Sequence, residues 1–302
     1  MTVPRLAVAR SGYGGRGYKN PFDGTLVPSV TTVLRMAASP AITQWAVDQT
    51  AAYAVANIDE LLKRTEEQGW GFLRWYHKRE LKKIEEGFDV RNYHLGVLNE
   101  AADLGTSFHE WVEADLVGYD YPDTTLESDR FWQMVEVWDR FKSEHTIEPV
   151  LMETTVWHAL KGYAGTFDIL AYIDGVLTLL DIKTARGIWP DHFMQLGALK
   201  NATTYMSEGF DGWQENDWTE IIGTVEQYGF LHVRPDDFDN KGSLVPAYCS
   251  LDLVDSGLLD VYTRQFEGLL LAKQAELDVK QYEKEVLKSE PLSNEVEKPS
   301  FT

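Results

Sequence analysis

The chain has 302 residues, 44% of them hydrophobic and 12% aromatic, which suffices for one large core or two modest ones and argues against disorder. Its single cysteine, Cys249, excludes a disulfide framework, a cysteine zinc site and an iron–sulfur cluster. The net charge of −20 is unevenly spread: twelve acids lie between Ala202 and Asp260, against only Arg234 and Lys241. Arg74, Lys78, Arg79, Lys82, Lys83 and Arg91 form a contrasting basic strip, and local potential rather than net charge decides where a polyanion docks. No apolar run is long enough to span a bilayer, and the Arg- and Gly-containing first twenty residues have no apolar signal core. The expectation is a soluble protein of the cytoplasm.

Residues 1–27, rich in Gly, Tyr and Arg, read as a loose hairpin or arm. A helix is expected over about 40–64, where Trp45, Asp48, Ala52 and Val55 recur at helical spacing. After Gly69 and Gly71 a helix over 72–86 interleaves aromatics with cations. Trp70, Phe72, Trp75 and Tyr76 are possible base-stacking platforms, but the helical spacing of the last three suits a core-facing stripe better. Arg74, Lys78, Arg79, Lys82 and Lys83 are therefore the better DNA-contact candidates. Helices over 92–116 and 127–144 follow, then a strand over 151–159, two strand-like runs at 164–173 and 176–183, a helix over 191–207 and a strand over 225–233. A last helix covers 263–288, and the end beyond Pro291 reads as frayed. The order implies an α/β fold: an arm and helical addition over 1–91, a core over 92–275 and a C-terminal helix end and tail over 276–302.

The chemistry concentrates in the two adjoining runs, AGTFDILAYI and VLTLLDIK, which are separated only by Asp174-Gly175. Asp-Gly between such runs signals a two-residue hairpin turn. Pairing Ile173 with Val176 and counting back places Asp168 opposite Asp181, with Lys183 on the same face two residues on. Facing carboxylates repel, and losing one would relieve that repulsion. Such a pair needs a proton or a cation, and a hard divalent ion is the usual solution. Glu80-Leu81-Lys82 and Asp278-Val279-Lys280 share the acid-any-Lys spacing but sit in charged helical stretches, where a solvated face explains them. Asp181-Ile182-Lys183 alone ends an apolar strand beside a second acid, an arrangement suited to phosphodiester hydrolysis.

Gly105-Thr106-Ser107-Phe108-His109, Gly165-Thr166-Phe167-Asp168, Asp181-Ile182-Lys183 and Gln195 occur in that order, and Glu113 follows His109 by one helical turn. The set resembles the RecB-like branch of the PD-(D/E)XK nuclease superfamily, whose core is a central mixed sheet flanked by helices. Pro28-Ser29-Val30-Thr31-Thr32-Val33-Leu34, with Trp45-Ala46, is similar to the start of mitochondrial genome maintenance exonuclease-like proteins, a group with phage members. The similarity runs from about residue 28 to 233. Two features depart from the family: Leu199 stands where a Gln-x-x-x-Tyr pattern has its aromatic, and the four cysteines of cluster-carrying relatives are missing.

The resemblance implies a Mg²⁺- or Mn²⁺-dependent deoxyribonuclease without an iron–sulfur cluster, in the host cytoplasm if phage-encoded, and more an exonuclease on ends or single strands than an endonuclease. His109, Asp168, Asp181 and the Ile182 backbone carbonyl would hold the metal. Glu153 is a further candidate ligand, a surface strand acid being the competing reading. Lys183 would act on the water, Gln195 would support Lys183 or touch the DNA backbone, and Glu113 would stand behind His109. Arg186 joins the DNA-contact set, with Arg10, Arg16 and Lys19 as an alternative path. The rival readings are a non-catalytic nucleic-acid-binding or structural protein on a nuclease scaffold, and a sequence- or structure-specific endonuclease.

Overall fold

The computed structural model describes residues 6–8, 15–37, 40–68, 93–239 and 241–289. In chain order their elements are β1 (Ala7–Val8), β2 (Gly17–Lys19), β3 (Leu26–Pro28), α1 (Val30–Leu34), α2 (Pro40–Ala56), α3 (Ile58–Gln68), α4 (Tyr93–Val117) and α5 (Asp129–Glu144). There follow β4 (Ile147–His158), β5 (Tyr163–Ile173), β6 (Val176–Lys183), α6 (Pro190–Lys200), β7 (Thr204–Gly209), β8 (Gly212–Asp217), α7 (Trp218–Ile222) and β9 (Gln227–Arg234). The described elements end with β10 (Asp237–Phe238), β11 (Leu244–Val245), β12 (Tyr248–Val254) and α8 (Ser256–Ser289). The expected α/β class is what the structure has, and among the described residues no helix is long and apolar enough to cross a membrane. The helix expected over 72–86, with Arg74, Lys78, Arg79, Lys82 and Lys83, lies outside the described residues.

The chain divides into two compact units. One comprises Met1–Ala37, Trp138–Val233 and Cys249–Thr302; the other comprises Ala38–Val137 and Arg234–Tyr248.

The first unit is built on a seven-stranded mixed sheet in the order β12-β9-β6-β5-β4-β7-β8. Its antiparallel centre follows from the Asp174-Gly175 turn. Both turn residues have positive φ, 50° and 84°, as the tight primed hairpin turns require, and Ile173 pairs with Val176. β6 and β9 run parallel, with Asp181 beside Phe230 and Lys183 beside His232. From Leu177 to Ile182 every residue of β6 is buried, so both faces of the strand are covered, which is why VLTLLDI reads as an almost unbroken apolar run.

Against this sheet pack α6 and α8, with Leu196, Leu199, Phe266 and Leu270 joining Phe167, Leu170, Leu179 and Phe230 in one apolar cluster. The approach is close enough to need glycine. A Cβ on Gly197 would stand 2.5 Å from Thr263 Oγ1 on α8, and one on Gly165 would stand 2.7 Å from a Leu199 methyl and 3.0 Å from a Val30 methyl. Gly165→Ala should therefore cost about 1–3 kcal/mol of stability through overpacking. Urea unfolding reads this directly, and an unmoved midpoint would show that α1 and α6 yield freely. The same packing accounts for Leu199: the position is core, 1% exposed.

The arm expected at the N-terminus is a three-stranded antiparallel sheet, β1-β2-β3, whose Tyr18 and Val27 pack with Trp157, Ala164 and Met206. Tyr18 Oη lies 2.9 Å from Thr166 Oγ1, so Thr166, taken from the sequence as part of a motif, anchors this small sheet.

Elsewhere two helix ends differ from the sequence expectation. The helix expected to reach residue 207 stops at Lys200, because the Thr203 N–H bonds to Trp157 O (2.9 Å) and draws Thr204–Gly209 into the sheet edge. Thr203, Thr204 and Tyr205 favour strand over helix. The last helix begins at Ser256 rather than 263, where Asp255 Oδ1 accepts from the Leu258 N–H (3.0 Å) in the manner of an N-cap.

Candidate active site

Three acids lie in one row across three adjacent strands. Met152 pairs with Ile169 and Thr154 with Phe167, so Glu153 of β4 stands opposite Asp168 of β5. One step beyond the Ile169–Leu180 pair, the same register sets Asp168 opposite Asp181 of β6. Like charges so placed should split the sheet unless each has its own partner, and two of them visibly do.

Asp168, 8% exposed, accepts a 2.6 Å hydrogen bond at Oδ2 from the Ile182 backbone N–H. The carboxylate thus takes the place of a strand acceptor at the end of the β5–β6 ladder. Asp181 is fully buried and forms an ion pair with the Lys183 ammonium. Gln195, on α6, closes a ring with both: its Nε2 donates to Asp181 Oδ1 and its Oε1 accepts from Lys183 Nζ, each at 3.1 Å. The cation expected beside the facing acids is supplied in part by the chain itself. A ring of three such contacts leaves Lys183, whose side chain is 13% exposed, one orientation to hold.

Glu153 has φ +43°, a left-handed conformation in the middle of a strand. A non-glycine residue held there costs on the order of 1–3 kcal/mol and persists only where its surroundings impose it. The twist brings a Glu153 carboxylate oxygen within 4.8 Å of one on Asp168. Two ligand oxygens on an octahedral Mg²⁺, each at about 2.1 Å, lie roughly 3–4 Å apart. Hard oxygen donors, both largely buried and this close, fit Mg²⁺ or Mn²⁺ and would not suit a soft metal.

Two histidines absent from the sequence candidates stand on the Lys183 side. His192, in the first turn of α6, accepts at Nδ1 from the Trp189 N–H (3.2 Å), which leaves its proton on Nε2. Burial, then the charges of Lys183 and His232, hold its pKa down to about 3. Only the unfolded chain takes up this proton across the ordinary histidine range, so His192 erodes stability as pH falls below about 6.5. His232 Nε2 donates to Ala185 O (2.8 Å), and its Nδ1 lies 3.4 Å from Asp252 Oδ2. It therefore ties the loop between β6 and α6 to β9 and β12. Neither histidine has a sequence signal, because each partner is a backbone atom or a residue distant in the chain.

Ile182 is buried, with its amide engaged by Asp168. Arg186 is exposed in the loop after β6. His109 and Glu113 are half-buried on α4, in the other unit, where Gly105, Phe108 and Val112 form the buried stripe. One turn along, Trp111 stacks on Tyr121 with ring centroids 4.1 Å apart.

The chain matches no protein-family model and no curated protein. Among solved structures it is similar to an alkaline exonuclease, LHK-Exo from Laribacter hongkongensis, and to the same enzyme in complex with dAMP. Each match has a TM-score of 0.31 and 13% identity, covering 62% of this chain and 91% of that one. So remote a likeness carries neither the fold nor the chemistry described above.

Proposed function

We propose that the protein is a metal-dependent DNA nuclease with a PD-(D/E)XK core over residues 92–275, acting as an exonuclease on DNA ends or single strands. The ring of Asp181, Lys183 and Gln195 beside the paired Glu153 and Asp168 carboxylates carries this reading. A purely structural sheet gains nothing from three acids in one row.

Glu153, Asp168, Asp181 and the Ile182 carbonyl would hold Mg²⁺ or Mn²⁺. His109 is proposed as a further ligand, and Glu113 as its support, from the order of motifs along the chain. Bound there, the metal would neutralise the scissile phosphate and make water a better nucleophile. Lys183 orients the attacking water and donates to the phosphate oxygen where negative charge grows. Gln195 keeps that ammonium from swinging away, and Asp168 fixes the strand end that carries it. Water oxygen then bonds to phosphorus in line with the departing ribose oxygen, which leaves with a proton.

Incubation with end-labelled single- and double-stranded DNA, with and without Mg²⁺ or Mn²⁺, tests the proposal. Metal-dependent shortening from the labelled or unlabelled end is expected. Internal cuts would make it an endonuclease, and binding without cleavage would make it a scaffold protein. Neutralising Lys78, Arg79, Lys82 and Lys83 together should weaken DNA binding and reduce the log–log salt slope by roughly 3, through fewer released counterions. Binding titrations at several salt concentrations check this; an unchanged slope would move the DNA path toward Arg10, Arg16, Lys19 and Arg186.

A further inference from the structure

A cavity of about 160 Å³ opens between β4 and the edge hairpin β7–β8, lined among others by Leu151, Glu153, Met206, Ser207, Glu208 and Trp213. It shares Glu153 with the paired carboxylates, so whatever fills it lies next to the group that would be cleaved. Its size suits one ring: a cavity of about 150 Å³ accepts a benzene molecule, while sites for whole drug-sized ligands run to roughly 300–1,000 Å³.

The lining decides the chemistry of that ring. Leu151, Met206 and the Trp213 indole give apolar and stacking surface, and among the described residues no cation lines the cavity. The Glu208 carboxylate accepts from N–H donors, while Glu153 marks the side of the cavity toward the proposed metal set. The Ser207 hydroxyl, which already accepts from Asn216 Nδ2 (2.9 Å), has its own proton left to donate. A planar, uncharged ring bearing both amine donors and acceptors matches this set, and an exocyclic amine facing a carboxylate is how acids select cytosine.

We infer that the cavity is a nucleobase subsite, sized for a pyrimidine and favouring cytosine, which seats the base of the nucleotide bonded to the scissile phosphate. The assignment rests on the nuclease reading for its place in the reaction, but binding of the base does not depend on cleavage. Stacking on an aromatic contributes about 1–3 kcal/mol per base, so seating the base should change rates about fivefold or more.

Two measurements test it. Saturation-transfer NMR should show deoxycytidine binding to the metal-free wild-type protein, thymidine less, and deoxyribose 5-phosphate not at all. Ser207→Leu, which fills the cavity from its half-buried rim without touching the core, should abolish the deoxycytidine signal. With Mg²⁺ or Mn²⁺, wild-type protein should process a cytosine-terminated strand about fivefold or more faster than one ending in an abasic site, and in Ser207→Leu that ratio should fall to about one. Absence of nucleoside binding, or binding and a rate ratio both unaltered by Ser207→Leu, overturns the subsite. If no strand is cleaved under any condition, the nuclease reading fails, and the nucleoside measurement still decides the cavity.

Discussion

Lys183→Ala should lower DNA cleavage about a thousandfold, the scale lost when one donor is removed from developing charge in a water-poor site. The ammonium is held in place between Asp181 and Gln195. Gln195→Leu should cost less, about ten- to a hundredfold, because Lys183 keeps its ion pair but gains freedom to turn. The single substitutions also test the charge balance. Asp181 is fully buried, and removing one partner of a buried pair typically costs about 3–5 kcal/mol. Asp181→Ala should thus lower the melting temperature by stranding Lys183, contrary to the relief expected when the two acids are imagined facing each other bare. Initial rates on end-labelled DNA, together with thermal melts, separate the two effects. Lys183→Ala at wild-type rate would remove the active-site assignment.

Asp168→Asn should abolish metal-dependent cleavage and weaken Mn²⁺ binding about a hundredfold or more, while leaving the fold untouched. Supporting residues around a metal site already account for 10- to 100-fold in affinity, so a direct ligand should exceed them. The amide oxygen of asparagine still accepts from the Ile182 N–H, so the strand end keeps its hydrogen bond. Asp168→Ala should lose both properties, the bare amide adding about 1–3 kcal/mol of destabilisation. Calorimetric Mn²⁺ titration and urea unfolding of the two variants separate ligand from strand cap. Equal metal affinity in wild type and Asp168→Asn would leave Asp168 with the strand-capping role alone.

The acid row between β5 and β6 was legible because its determinants are local. A two-residue Asp-Gly turn fixes register, and register fixes which side chains face each other across every later pair. The same logic was available for the edge hairpin. Asp211-Gly212 is again an Asp-Gly pair, but the turn itself is Phe210-Asp211, enclosed by the Gly209–Gly212 pair, so the signal is displaced by one residue. It was hidden because the half-buried Ser207 and the exposed Glu208, Gln214 and Glu215 are polar on both faces and do not alternate as a strand should. The left-handed twist at Glu153 was beyond reach for a different reason. Nothing in Met152-Glu153-Thr154 calls for positive φ, and the conformation is imposed by neighbours that are distant in sequence. The His192 and His232 contacts likewise depend on how α6 and β9 are brought together by the whole sheet.

The internal pairing of Asp181 with Lys183 also bears on how the protein would be handled and how it would behave in a cell. Many small metal-binding domains unfold when stripped, because ligand repulsion is held in check only by the ion. Here an ammonium already offsets the most deeply buried carboxylate, and a backbone amide satisfies its neighbour. If the protein takes up a metal as proposed, it should fold and persist before any Mg²⁺ or Mn²⁺ binds. A chelator should silence it reversibly without melting it, and restoring the ion should restore it at once, with no refolding step between.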